Sequence, residues 1–173
     1  MRIGWVSLGP LPLLFVCSLP GWRIRTAVAG DFPSVLALWA AAAGPTGLAE
    51  TTERLSALAR TDREALLVAE AEGLLVGALI AAWDGWRGSF YRLAVRPDWR
   101  RRGLARALVR EGESRLGERG AVRLTVIVAD DDDGAAISFW RALGYRRQPR
   151  RARFIRHLAE GAAPWPDDRP GEA

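Results

Sequence analysis

Lysine is absent from this sequence, which nevertheless carries 25 basic residues against 20 acidic ones and a formal net charge of +5. Every basic residue is an arginine, whose planar guanidinium makes forked contacts with phosphates and carboxylates that an ammonium cannot reproduce. A Walker phosphate loop is excluded, because its chemistry requires a lysine. Cysteine and histidine are nearly as scarce, with one of each, Cys17 and His157. Together they cannot supply an intrachain disulfide or a Cys/His zinc site, so no metal centre is expected. Both read as incidental residues. Long hydrophobic runs are missing too. Residues 1–20 are apolar but interrupted by Pro10 and Pro12, too short to span a bilayer and without a clear cleavage site. They read as a loosely ordered extension through residue 21. Residues 161–173, rich in proline, glycine and acid, read as a disordered tail.

What remains, residues 22–160, suffices for one domain, since 49% of a 173-residue chain is hydrophobic. The arginines are clustered, eight between Arg87 and Arg110 and seven between Arg141 and Arg156. Nucleic acid and a phosphorylated small molecule both fit such clustering. The second cluster alternates with apolar residues as an edge strand does, and arginine there guards an exposed edge. Neither a nucleic-acid nor a membrane partner is therefore expected, and the chain is expected in the cytoplasm.

Apolar spacing sets the order of elements. A short strand over residues 23–27 precedes a helix capped by Asp31, with Pro33 in its first turn, Val35, Leu38 and Trp39 inward, and Gly44 and Pro45 at its end. A second helix over 51–59, capped by Thr51 or Thr52, buries Leu55, Leu58 and Ala59. Residues 65–69 and 74–83 form a hairpin across 70–73, and the turn from Asp84 to Gly88 leads into a third antiparallel strand, 89–95. A helix follows over 104–116, ended by Gly117 and Gly120. Residues 122–128 are continuously apolar and β-branched, which predicts a central strand buried on both faces. The last elements are a helix over 134–143 stopped by Gly144 and an edge strand over 151–158. The fold class is thus α/β (α+β), with a mixed, mostly antiparallel central sheet flanked by helices.

The informative segment is the strand end Leu93, Ala94 and Val95, followed by Arg100, Arg101, Arg102, Gly103, Leu104, Ala105 and Arg106 at the start of a helix. The first amides of a helix lack intrahelical acceptors and carry the positive end of its dipole, so they suit a diphosphate. The glycine spacing is not that of a dinucleotide fingerprint. Arg100-x-x-Gly103-x-Ala105 after a strand ending at Val95 resembles the Q/R-x-x-G-x-G/A acyl-CoA motif of the GNAT N-acetyltransferases. The element order from about residue 23 to residue 158 resembles theirs as well, down to Phe139-Trp140-Arg141-Ala142-Leu143-Gly144-Tyr145 at the end of a helix. The turn from Asp84 to Gly88 is similar to a hairpin turn in a subgroup of small bacterial members.

The resemblance implies a GNAT acyl-CoA fold and an N-acetyltransferase using acetyl-CoA, without a metal. It implies that the Leu93 and Val95 backbone pairs with the pantetheine arm where two strands splay apart, and that amides from Arg101 to Ala105 hold the pyrophosphate. Two positions depart from the family's commonest pattern of an asparagine after the central strand and a tyrosine seven residues later. Here they are Asp133 and Trp140. Aspartate accepts from a pantetheine amide but cannot donate. Tryptophan offers an N–H but no usable proton, and it reads equally as a core aromatic.

With no covalent nucleophile evident, an amine is expected to attack the thioester directly once it has lost a proton. Asp84, Glu50 and Glu53 are candidate bases, and Tyr91 a candidate for positioning or proton transfer. The acidic run from Asp130 to Asp133 fails the calcium-loop spacing, which would require acids where Ala129 and Trp140 stand; it reads as a solvated loop that can attract a cationic amine. The expected partners are acetyl-CoA and an amine-bearing small molecule, protein or peptide, with a homodimer left open. A non-catalytic acyl-CoA-binding regulatory module is the competing reading.

Overall fold

Short-range chemistry accounts for the first elements. Arg23–Thr26 forms strand β1, and a 3-10 turn over Ala29–Asp31 runs directly into helix α1, Phe32–Ala42. Asp31 belongs to that turn rather than standing outside the helix as its cap. Its carboxylate reaches back to accept the Val28 N–H at 2.8 Å and is gripped by Arg25 at 2.6 and 2.9 Å. The Arg25 guanidinium holds the Asp31 carboxyl below the usual carboxylate range. Thr51 caps helix α2, Thr52–Thr61, by accepting the Arg54 N–H. The computed structural model describes residues 21–42, 50–128, 134–150, 152 and 154. The expected helix end at Gly44 and Pro45, residues 1–20 and the tail lie outside these, as does nearly all of the expected strand over 151–158.

Strands β2, Leu66–Ala71, and β3, Leu74–Trp83, form the expected hairpin. Its two connecting residues, Glu72 and Gly73, have φ of 53° and 75°, the paired left-handed conformation that matches the twist of the flanking strands. Strand β4, Gly88–Val95, completes an antiparallel meander. Helix α3, Leu104–Glu118, strand β5, Leu124–Val126, and helix α4, Ala135–Ala142, follow. The sheet order is β1-β2-β3-β4-β5, with β5 parallel to β4 and the other pairs antiparallel.

Alternation of side chains along the strands feeds two cores. On one face Leu67, Leu79 and Phe90 meet Leu104, Leu108 and Leu116 of α3 and Trp140 of α4. On the other, Val68 and Ala78 meet Val35, Leu38 and Trp39 of α1 and Leu55 of α2. Helix α3 lies close to the sheet because Gly112 has no side chain; a Cβ there would stand 2.7 Å from the Phe90 ring.

The strands buried on both faces are β2, where Leu67 and Val68 are fully covered, and β3, where Ala78 and Leu79 are, and not residues 122–128. Only Leu124–Val126 of that run is strand, and Val122 and Ile127 are 79% and 51% exposed. β-Branched apolar residues set strand propensity, but double burial needs cover from both layers. Among the described residues β5 has β4 on one side and nothing on the other.

Candidate functional site

The two edges of β4 differ. Toward β3 its register runs from Gly88 to Val95, whereas toward β5 it comprises Gly88↔Leu124, Ser89↔Thr125 and Phe90↔Val126. Beyond Phe90 the two parallel strands no longer pair, so among the described residues the β5-facing edge of residues 91–95 has no strand partner and borders a gap. Backbone amides and carbonyls on such an edge require partners from outside the sheet. An extended, amide-bearing chain fits that requirement as an added strand would.

The gap runs into the arginine turn. Pro97–Trp99 forms a 3-10 turn, Arg101 has φ of 63°, and Gly103 has φ of 83° immediately before α3. A Cβ on Gly103 would meet nothing within 4 Å, so glycine is required there by its left-handed backbone and the space before it is open. No side chain caps α3, and its first intrahelical bond runs from Ala107 N–H to Gly103 C=O at 3.0 Å. The amides of Leu104, Ala105 and Arg106 are left over, and no acid lies in the first turn. An anion fits this end by charge, by open space and by spare donors.

The arginines of the turn divide their work. Arg100 Nε donates to the Val95 carbonyl at 3.1 Å and ties the turn to the end of β4, leaving that carbonyl one further lone pair. Arg102 lies over the Trp99 ring at 4.7 Å. Arg101 and Arg106 are exposed. Leu104 is 1% exposed and anchors the helix start in the core, so its backbone alone is available to a ligand. Leu93 is half-buried, while Ala94 and Val95 are buried on opposite faces.

The candidate catalytic side chains are not gathered around the gap. Asp84 accepts backbone N–H bonds from Trp86 and Arg87, the first at 2.9 Å, and builds its own turn. Chiefly through the bond from Arg87, these donors keep its carboxyl below the usual range, which opposes a role as proton acceptor. Glu53 occupies the exposed first turn of α2, its carboxyl lowered mainly by a hydrogen bond from Thr51. Glu50 is clamped by Arg92. Tyr91 is 47% exposed at the point where β4–β5 pairing ends.

Trp140 is 7% exposed, stacked on Phe90 at 6.0 Å and edge-on to Tyr145 at 4.9 Å. This is the packing of a core aromatic. Tyr145 donates its hydroxyl to Glu113 at 2.7 Å, and burial pushes its pKa up. Asp133 lies outside the described residues. Among the described residues no group of three or more His, Cys, Asp or Glu is arranged to hold a metal.

One residue that the sequence did not single out stands at the gap. Arg92 has φ of 55° within β4, at a bulge where two residues, Arg92 and Leu93, oppose Leu79 alone. Nothing in the local sequence announces it, since arginine has no preference for that conformation.

Comparison with known proteins identifies the family and the fold. A sequence model described as the acetyltransferase (GNAT) family matches residues 32–145. An acetyltransferase of Yersinia enterocolitica is 36% identical over 126 residues, which cover 73% of this chain and 89% of that protein. Among solved structures, the ribosomal-protein-S18-alanine N-acetyltransferase of Escherichia coli is similar with a TM-score of 0.59 and 22% identity, covering 71% of this chain and 76% of that one. An aminoglycoside acetyltransferase from an uncultured soil metagenomic sample is similar with a TM-score of 0.62 and 21% identity, covering 80% and 97% respectively. By the extent of the family match and the sequence relative, the chain belongs to the GNAT family of acetyltransferases.

Proposed function

We propose that this protein transfers an acetyl group from acetyl-CoA to a primary amine, by direct attack of the amine within a ternary complex in the cytoplasm. The observation that carries the reading is the continuity of the unpaired edge of β4 with the uncapped start of α3. In this reading the backbone of Leu93 and Val95 pairs with the pantetheine arm, while Ala94 between them, whose own backbone is paired with Ala78 of β3, lines the site. The amides from Arg101 to Ala105, with the side chains of Arg101, Arg102 and Arg106, neutralise the pyrophosphate. Arg100 fixes the junction between the two parts through the Val95 carbonyl.

The new C–N bond forms as the C–S bond breaks, and the amine's proton passes to solvent or a nearby base. The leaving CoA thiolate, with a pKa near 8.5 as a free thiol, needs no strong acid. Tyr91, exposed at the mouth of the gap, is the side chain we assign to positioning the amine or relaying its proton. Asp84 does not enter this scheme, because its carboxylate serves its turn. The structural neighbours act on a ribosomal protein and on aminoglycosides, so a shared fold accommodates different acceptors, and we assign the acceptor only as a primary amine.

A non-catalytic acyl-CoA-binding module is favoured by one observation, the enclosure of Trp140 among Phe90, Phe139 and Tyr145 where the commonest family pattern has a proton donor. Calorimetric titration with acetyl-CoA tests what both readings share. The wild type should bind, and Gly103→Glu, which places a negative charge in the open space before α3, should weaken binding by at least about 100-fold while still folding. Absence of binding by the wild type would defeat both readings. Release of CoA in the presence of an amine panel separates them.

A further inference from the structure

Arg92 joins three features that have no common origin in sequence. Its backbone is left-handed at a φ of 55°, a conformation that costs an L-residue free energy and persists only when its surroundings impose it. It forms the bulge of β4, opposite Leu79 and two residues beyond the last pair with β5. Its side chain reaches across the α1–α2 face, where its guanidinium lies 5.3 Å from the Trp39 ring centroid and forms an ion pair with Glu50, Nη2 donating at 2.6 Å while the buried Nε is in ionic contact without a hydrogen bond. Trp39 is 2% exposed, and the Arg92 and Glu50 side chains are 20% and 25% exposed. The ion pair is therefore partly shielded from water and stronger than one on an open surface. Trp39 is fixed in α1, and Glu50 immediately precedes the cap of α2. The pin thus anchors the bulge to a packed layer on the face away from α3.

We infer that Arg92 is a positioning residue for the cofactor arm: held by Glu50 and Trp39, it imposes the bulge that keeps residues 91–95 out of register with β5 and open to the pantetheine amides. The inference rests on the acetyl-CoA reading above and adds to it the residues that hold the gap open. The bulge shifts the register of β4 against β3 by one residue, and a one-residue shift exchanges the faces of a strand. It therefore also sets the facing of the residues beyond it, with Ala94 turned to the α1–α2 core and Val95 to the α3 core.

The test uses two ligands and three variants of the full chain, with thermal unfolding run on each. Acetyl-CoA reports the arm and the phosphates together; 3′-phosphoadenosine 5′-diphosphate, which lacks the arm, reports the phosphates alone. Arg92→Ala should weaken acetyl-CoA about tenfold, because alanine abandons the strained conformation, and should leave the arm-less ligand within about twofold. Glu50→Gln, which leaves β4 untouched, should weaken acetyl-CoA alone by about threefold. Arg92→Gly should bind acetyl-CoA better than Arg92→Ala, since glycine adopts this φ without the pin. Equal losses for glycine and alanine, equal losses for both ligands, or no loss in any variant would each overturn the assignment. If the wild type binds neither ligand, the cofactor reading itself is what fails.

Discussion

One strand of this protein has two different edges, and the contrast between them separates architecture from function. Along β3, β4 is paired from Gly88 to Val95, and its side chains are sealed into two cores. Along β5, it is paired from Gly88 to Phe90 and then left open. The paired edge satisfies the backbone internally and stabilises the sheet; the open edge leaves donors and acceptors that a ligand can complete. The same polypeptide thus serves as scaffold on one side and, in the function proposed above, as half of a binding site on the other.

Substitutions around Phe90 break this contrast most strongly, because its ring lies under both the junction with β5 and the meander. Trp140→Ala removes the aromatic stacked on it and should cost about 3–5 kcal/mol of stability in chemical denaturation. Its effect should be largest at the β4–β5 junction, seen as faster amide exchange at Leu124–Val126 than in β2. Gly112→Ala tests the meander side. Its Cβ would press on Phe90 at 2.7 Å and on Ala81 at 3.3 Å, and the resulting overpacking should cost about 1–3 kcal/mol, with protection lost in β3 and β4 before β5.

The smallest effect is expected at the far edge of the meander. Asp31→Asn loosens the grip of Arg25 beside β1 and should cost roughly 1 kcal/mol at neutral pH. The Asp31 carboxyl titrates below its ordinary value in the folded state, so its stabilisation is present above the unfolded value near pH 4 and is lost as pH falls through the folded value. Acid unfolding measured below about pH 4 should therefore be less steep in the variant than in the wild type, with the β4–β5 gap unaffected.

The scaffold was largely legible because its signals are local. The hairpin between β2 and β3, the Thr51 cap of α2, Leu104 at the start of α3 and the left-handed Gly144 after α4 each depend on a few neighbouring residues whose propensities agree with the fold. The arginine turn was legible for the same reason, since a strand end, a glycine and a helix start are consecutive. Side-chain roles were less so. Asp84 is a plausible base in sequence, but its carboxylate is engaged by two amides of its own turn. Trp140 is undecided in sequence, and its ring is packed among three aromatics drawn from β4, α4 and the segment after it. Residues 122–128 have the composition of a doubly buried strand, yet burial is conferred by neighbours, and those are supplied by the rest of the chain.

By itself the sequence determined most of the helices and strands among the described residues, and the glycine-led, uncapped start of α3 after the arginine turn. Periodicity and capping act over one or two turns, and a chain carries that information in its own order. The tertiary structure alone decided where β4 leaves β5, that Arg92 adopts a left-handed conformation to form the bulge there, and that Glu50 and Trp39 clasp its side chain. Those residues are separated by 42 positions in one pair and by more than one element in the other. Their contact exists only after loop closure has been offset by the burial of both cores, so no local pattern can encode it.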